Sequence, residues 1–348
     1  MNFSIFEFHS YTSLEEFRET LRNNSRVPRT VREWDNDTLL SEVKAADGFH
    51  IYEHETLQIE GQTIQYLFFD VYTERKKNPD QWYEPDGVTL KEREDRINPY
   101  ISNMLTFQYE DKVYAIVFSG INRAKSFLRD IFISEVWGNV DPVPFRISED
   151  LLYWIFKRYI DTTRESLSQN HQVFVTALES YMGKTRDNVN AMRGEGSRIS
   201  TILGTLAFLF NNENENLKAI RPAIQYGNEK VLIELGLTGT FKTWSKSYRG
   251  QLFRTLNGQR KENAIAIFIF AKIIPLLIEC YEENIHHNRW SPQLKIDFIK
   301  RLGTMIREEV DSVLERLEQE NTHQDNDDID ILDEEDFDLE IDDEEEGI

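Results

Sequence analysis

Residues 262–283, ENAIAIFIFAKIIPLLIECYEE, are apolar on nearly every face of a helix. Such a helix has no side to turn to water, so it must lie at the centre of a folded body. The rest of the chain has to supply the elements that surround it. Lys272 and Pro275 interrupt the run, and no unbroken apolar stretch reaches the ~18 residues of a membrane span. The opening MNFSIFEFHS lacks the basic region of a secretory leader. The expected location is therefore the cytoplasm, without membrane insertion. Cys280 is the only cysteine, which excludes a disulfide framework and a cysteine-based zinc site.

Local patterns divide the chain. Residues 3–9 alternate like a strand, and Ser13 with Glu16 forms a capping box before a helix whose face carries Leu14, Phe17 and Leu21. Residues 48–73 predict two strands around Glu60-Gly61, and a second pair turns at Glu110-Asp111. A helix follows near 121–132, while 76–96 has no period and reads as a surface loop. Pro142 and Pro144 mark the expected boundary. Beyond it, Ser148 opens a helix through about Ser168, and Ser291-Pro292 starts a final helix to about Glu320. On that last helix Leu302, Ile306, Val310, Val313 and Leu317 form a stripe suited to packing on the bundle, or to a homodimer seam. The expectation is α+β: residues 1–147 with a mostly antiparallel sheet, 148–320 mainly helical with a strand-like run in 222–241, and a disordered acidic tail at 321–348.

Charge is distributed unevenly along this plan. The formal net charge is −22, from 62 acidic and 40 basic residues. Residues 1–156 have a balance of −10, whereas 157–302 carry 21 basic against 14 acidic side chains, a balance of +7. The final 28 residues hold 15 acids and no base. The tail alone supplies two thirds of the excess negative charge, and a local basic surface can still meet nucleic acid. Like-charge repulsion predicts that the tail is disordered. Phe337, Leu339 and Ile341 punctuate its acids, a pattern suited to docking on a basic groove or simply to keeping the chain soluble.

The strongest site in the sequence is 242–261. Lys242, Lys246, Arg249, Arg254, Arg260 and Lys261 occur there without an acid, among Trp244, Tyr248 and Phe253. Cations neutralise phosphates and aromatics stack on exposed bases. On a helix, positions 242, 246, 249 and 253 would share a face. A second stretch, with Arg22, Arg26, Arg29 and Arg32, reads as a flexible arm for backbone contacts.

Catalytic patterns are weaker. Gly183-Lys184-Thr185 resembles the end of a P-loop, but Leu178 stands where the first glycine is required, and Gly194-Glu195-Gly196 is only a partial match to a phosphate loop. No cofactor is expected. Asp70, Glu74 and Lys76 share one face of a strand, as metal-dependent nucleases arrange carboxylates and lysine, but the spacing from Asp70 is short. Arg164 and His171 have the R-x6-H spacing of helical HEPN ribonucleases, although Glu165 departs from that pattern. His286-His287 has no ligand partner at helical spacing and reads as a helix end, so no metal site is assigned. The reading leans away from an enzyme.

The block GFHIYEHETLQIEGQTIQYLFFDVYTE, followed after a loop by LTFQYEDKVYAIVFSGINRAKSFLRDIF, resembles the RexA and KwaB-like bacterial phage-defence proteins. The resemblance implies an anti-phage protein that binds DNA without sequence preference, and it carries over no catalytic residue. The expected function is therefore nucleic-acid binding, DNA before RNA, moderated by the acidic tail and open to a partner protein encoded nearby. The alternatives are a metal-dependent or HEPN-like nuclease, and an adaptor acting through the tail.

Overall fold

Strand β1 (Asn2–Phe8) sends Phe3 and Ile5 to one face and Phe6 and Phe8 to the other, and all four are buried. A strand buried on both faces needs a sheet covered on both sides, and that is the plan of the molecule. The computed structural model describes residues 1–185, 191–196 and 215–324. The tail beyond Gln324, with Phe337, Leu339 and Ile341, lies outside the described residues, as does the segment after Gly196.

After β1 come α1 (Leu14–Asn23), β2 (Arg26–Val31), β3 (Asp37–Ala45), β4 (Glu55–Ile59) and β5 (Gln62–Lys76). Next are α2 (Arg93–Arg96), β6 (Ile97–Tyr109), β7 (Lys112–Val117), α3 (Ile121–Ile131), α4 (Ser134–Trp137) and β8 (Val140–Pro142). The second half holds α5 (Glu149–Thr162), β9 (Val173–Thr185), β10 (Ala191–Glu195), β11 (Glu215–Tyr226), β12 (Glu229–Gly236) and β13 (Thr240–Thr243). It closes with helices α6 (Gly258–Phe268), α7 (Ile274–His286) and α8 (Pro292–Gln324). The fold is mixed α+β, with a large antiparallel sheet and a helical C-terminal region.

The strands form one sheet in the order β10-β9-β11-β12-β13-β1-β7-β6-β5-β3-β2, with β4 paired to β5 and β8 to β1. The two halves join where β1 meets β13, in the register Asn2↔Lys242 to Ser4↔Thr240. The sheet therefore runs unbroken past the boundary expected at Pro142 and Pro144. Helices dominate after residue 148, but the strand content there extends well beyond 222–241, from Val173 to Thr243. β9 and β11 escaped the sequence because register shifts between Leu217 and Ala219, Arg221 and Pro222, and Ala223 and Ile224 break the period of two.

Several local signals appear as expected. Ser13 accepts from the Glu16 backbone N–H at 3.3 Å, and Leu14, Phe17 and Leu21 are buried. Glu60 and Gly61 both take positive φ, 49° and 85°, closing the tight β4–β5 hairpin as a left-handed two-residue turn should. The stretch predicted as a flexible arm is not one. Arg22 ends α1, Arg26 and Arg29 lie on β2, and Arg32 starts a single 3-10 turn. Asp35 and Asn36 adopt left-handed conformations that turn β2 into β3, and Pro28 is tolerated because β2 is a sheet edge.

One face of the sheet packs against α1, α3 and α4 through Phe17, Leu21, Phe127, Ile131 and Trp137. The other packs against α5, α6 and α7; α6 and α7 hold the apolar run 262–283, but α7 turns Pro275, Glu279 and Glu282 to water, so the run is largely and not wholly buried. Between α6 and α7 the backbone makes a π turn, Ile269–Ile273, just before Pro275. Proline has no N–H for the carbonyl of Ala271, and the Tyr109 hydroxyl donates to that oxygen at 3.3 Å instead. Of the most apolar 18-residue window of this helix, 72% is buried inside the protein.

Asp150, in the first turn of α5, ties the C-terminal helices together. It accepts from the Tyr281 hydroxyl and the Trp290 indole N–H, both at 2.6 Å, with Lys295 Nζ at 3.3 Å. Burial, then the Asp150 carboxylate, pushes the Tyr281 hydroxyl well above its ordinary pKa. Asp150→Ala strands a buried indole N–H and a phenol, so a stability loss of about 2 kcal/mol is expected in denaturant unfolding. A loss below about 0.5 kcal/mol would show that these bonds contribute nothing net.

Candidate nucleic-acid interface

The segment 242–261 is not a helix until Gly258. Lys242 lies on β13, Ser245–Ser247 form a 3-10 turn, and an irregular connection follows. The shared face expected for 242, 246, 249 and 253 therefore does not exist. Glu229, buried at the start of β12, fixes the connection by accepting from the Tyr248 hydroxyl and from the backbone N–H groups of Gln251 and Leu252. Gly250 allows this, because a Cβ there would overlap the Glu229 carboxylate. Tyr248 and Phe253 are consequently core residues and cannot stack on bases. Trp244 lies half-buried under Arg221, whose guanidinium is 4.3 Å from the ring centroid.

The cations of this stretch divide in the same way. Lys242 pairs with Glu234 at 2.6 Å, and Arg260 pairs with Glu55 at 2.7 Å while covering Phe49. Lys261 sits over the Tyr248 ring. Lys246, Arg249 and Arg254 stay exposed, although Arg249 also donates to the carbonyls of Lys246 and Tyr248.

The nuclease patterns do not assemble. Asp70, Glu74 and Lys76 do share one face of β5, as alternation requires. Asp70 accepts from Asn103 at 2.5 Å, and burial raises its pKa. Glu74 is 4% exposed and accepts from Arg93, the Leu40 N–H and the Tyr72 hydroxyl. Burial pushes its carboxyl up, but these hydrogen bonds outweigh burial and hold it below the usual range. Lys76 reaches Glu33 at 3.3 Å. Each group is committed to its own partner, and no three His, Cys, Asp or Glu side chains gather for a metal among the described residues. Arg164 and His171 both lie beyond Thr162, where α5 ends, so the helical geometry of the R-x6-H reading is absent. His171 stands 3.6 Å from Glu279 instead. His286 closes α7 and His287 caps it, the helix-end role expected. Gly183-Lys184-Thr185 lies within strand β9, not in a loop.

What the sheet does assemble is a group of arginines that no linear motif contains. Asp130, near the end of α3, has a side chain only 7% exposed. Arg29 from β2 approaches its Oδ1 at 3.3 Å, and Arg75 from β5 approaches its Oδ2 at 3.1 Å. Arg129 lies 3.8 Å away, with its side chain 79% exposed. Arg29 is braced further by the Glu74 carbonyl at 2.8 Å and the hydroxyls of Ser41 and Thr73. Arg75 also donates to Ser126.

Beside them, Tyr100 of β6 carries two guanidinium groups against its ring, Arg75 at 5.1 Å and Arg123 at 5.3 Å. Among the described residues Arg123 has no carboxylate partner. Three arginines thus share one carboxylate and a fourth stands alongside, an excess of three positive charges. Guanidinium forks held in place by hydroxyls and a carboxylate suit phosphate oxygens, because donor geometry is set before the anion arrives.

Only Arg29 of this group lay among the expected site residues, and there as part of a flexible arm. Arg75, Arg123 and Arg129 were missed because they are brought together only by strand register and by the docking of α3. The available signal was the predicted helix 121–132, where Arg123, Lys125 and Arg129 face a single acid. No protein-family model matches the chain, and no curated protein matches it.

Proposed function

We propose that this protein binds the phosphate backbone of nucleic acid, DNA before RNA, without reading base sequence. The observation that supports this reading is the sharing of buried Asp130 by three arginines, with Arg123 alongside. One carboxylate positions the cations without neutralising them, so the site retains net positive charge for an anion. Exposed Lys246, Arg249 and Arg254 offer a second set of backbone contacts. The aromatic stacking first assigned to Tyr248 and Phe253 is withdrawn, which favours phosphate contacts over base contacts. The resemblance to RexA and KwaB-like proteins supplies the biological setting within the same proposal, cytoplasmic bacterial defence against phage.

Four phosphate contacts release condensed counterions, so log affinity should fall with log salt at a slope of about −3.6 on duplex DNA. Between ~50 and ~200 mM salt that is a loss of about two orders of magnitude. Fluorescence anisotropy of the full chain on duplex DNA, single-stranded DNA and RNA measures this directly. Absence of binding to all three at low salt would sink the proposal, as would binding insensitive to salt. Cleavage of any of them with Mg²⁺ would instead return the nuclease reading.

A further inference from the structure

Helix α8 has a second apolar face that its own fold uses only in part, at Ile306. The face toward the core carries Phe298 and Leu302, both buried. About 100° around the helix lies another line: Ile296, Ile299, Ile306, Val310, Val313 and Leu317, with Gly303 between the second and third. Their spacing is 3, 4, 3, 4, 3, 4, an unbroken a/d heptad seam over three heptads. Ile296, Val310, Val313 and Leu317 are between 37% and 51% exposed. Ile299 and Ile306 are half-buried, and every described side chain from Arg307 to Gln319 is exposed. Residues 307–319 of α8 are therefore exposed on every side and add nothing to the described core. An isolated helix of that length is marginal in water.

Charge decides what covers it. Residues 292–307 carry four basic side chains and one acidic, a balance of +3. Residues 308–324 carry one basic and six acidic, a balance of −5. The chain's own tail, with 15 acids, would be repelled by the projecting half. A second copy aligned in parallel would lay acidic half on acidic half and bring two tails together. A second copy aligned antiparallel lays each +3 half on a −5 half.

We propose that α8 pairs antiparallel with α8 of a second copy of this chain along the 296–317 seam. Full overlap sets a against d positions, with Ile299 facing Leu317, Gly303 facing Val313, and Ile306 facing Val310 of the other copy. In this register the two Leu317 side chains stand about 27 Å apart, since 18 residues separate 299 from 317. The surface is independent of the arginine cluster and stands or falls separately from nucleic-acid binding.

Light scattering after size exclusion tests it on the full chain. A mass of twice 41.2 kDa at micromolar concentration is expected, and a monomer would overturn the proposal. Val310→Asp with Leu317→Asp lies outside the core, and should give a monomer with an unchanged circular dichroism spectrum. A dimer that survives this change refutes the seam. Orientation is read with cysteines, because the one native cysteine, Cys280, is buried. Mixed Ile299→Cys and Leu317→Cys chains should join through a short bis-maleimide, and Leu317→Cys alone should not. Efficient joining of Leu317→Cys to itself would overturn the antiparallel arrangement.

Discussion

Reversing the two least committed charges of the arginine cluster, with Arg123→Glu and Arg129→Glu together, is expected to weaken nucleic-acid binding about 100-fold at low salt. The slope of log affinity against log salt should fall by about 2, one for each phosphate contact removed. These two residues isolate binding from folding. Arg129 is mostly in water, and Arg123 is exposed and lies against ring edges and faces without a carboxylate of its own. Arg29 and Arg75, by contrast, are part of the structure around Asp130. The same anisotropy titration on Lys246→Glu with Arg249→Glu should show a smaller loss, because Arg249 already donates to two backbone carbonyls. Equal losses in the two double variants would place the centre of binding elsewhere, and an unaffected Arg123/Arg129 variant would remove the cluster from the function.

Asp130→Asn should move stability and binding in opposite directions. The carboxylate is buried while its arginine partners are about one-third exposed, so water compensates them in part when the charge is lost. A cost of about 2 kcal/mol follows, below the 3–5 kcal/mol typical of breaking a fully buried pair. At the same time the local excess rises by one positive charge. Affinity for DNA at low salt should therefore increase, and the salt slope should steepen. Denaturant unfolding checks the first effect and anisotropy the second. Loss of both stability and affinity would mean that Asp130 serves the site only by holding its shape, and that the unneutralised charge is not what binds.

The sequence by itself determined the elements whose signals are local. The Ser13–Glu16 box starts α1 because both partners lie within one helical turn. Glu60-Gly61 closes a hairpin because its two backbone conformations are set by adjacent residues. Residues 262–283 had to be largely buried because nearly every face of them is apolar, and Ser291-Pro292 starts α8 for reasons contained in two residues. Tertiary structure decided what depends on distant partners. Register shifts in the β9–β11 pairing broke the alternation of those strands, and the β1–β13 pairing that joins the halves links residues about 240 positions apart. The same cause moved the candidate site. Tyr248 and Phe253 look like stacking aromatics in a basic string, but Glu229 and the core claim them. Arg29, Arg75, Arg123 and Arg129 look unremarkable in the linear chain, yet β2, β5 and α3 bring three of them to one carboxylate and the fourth, Arg123, beside Arg75 on Tyr100. A string of residues fixes which charges are present; only the register of the sheet and the docking of a helix decide which remain uncompensated together.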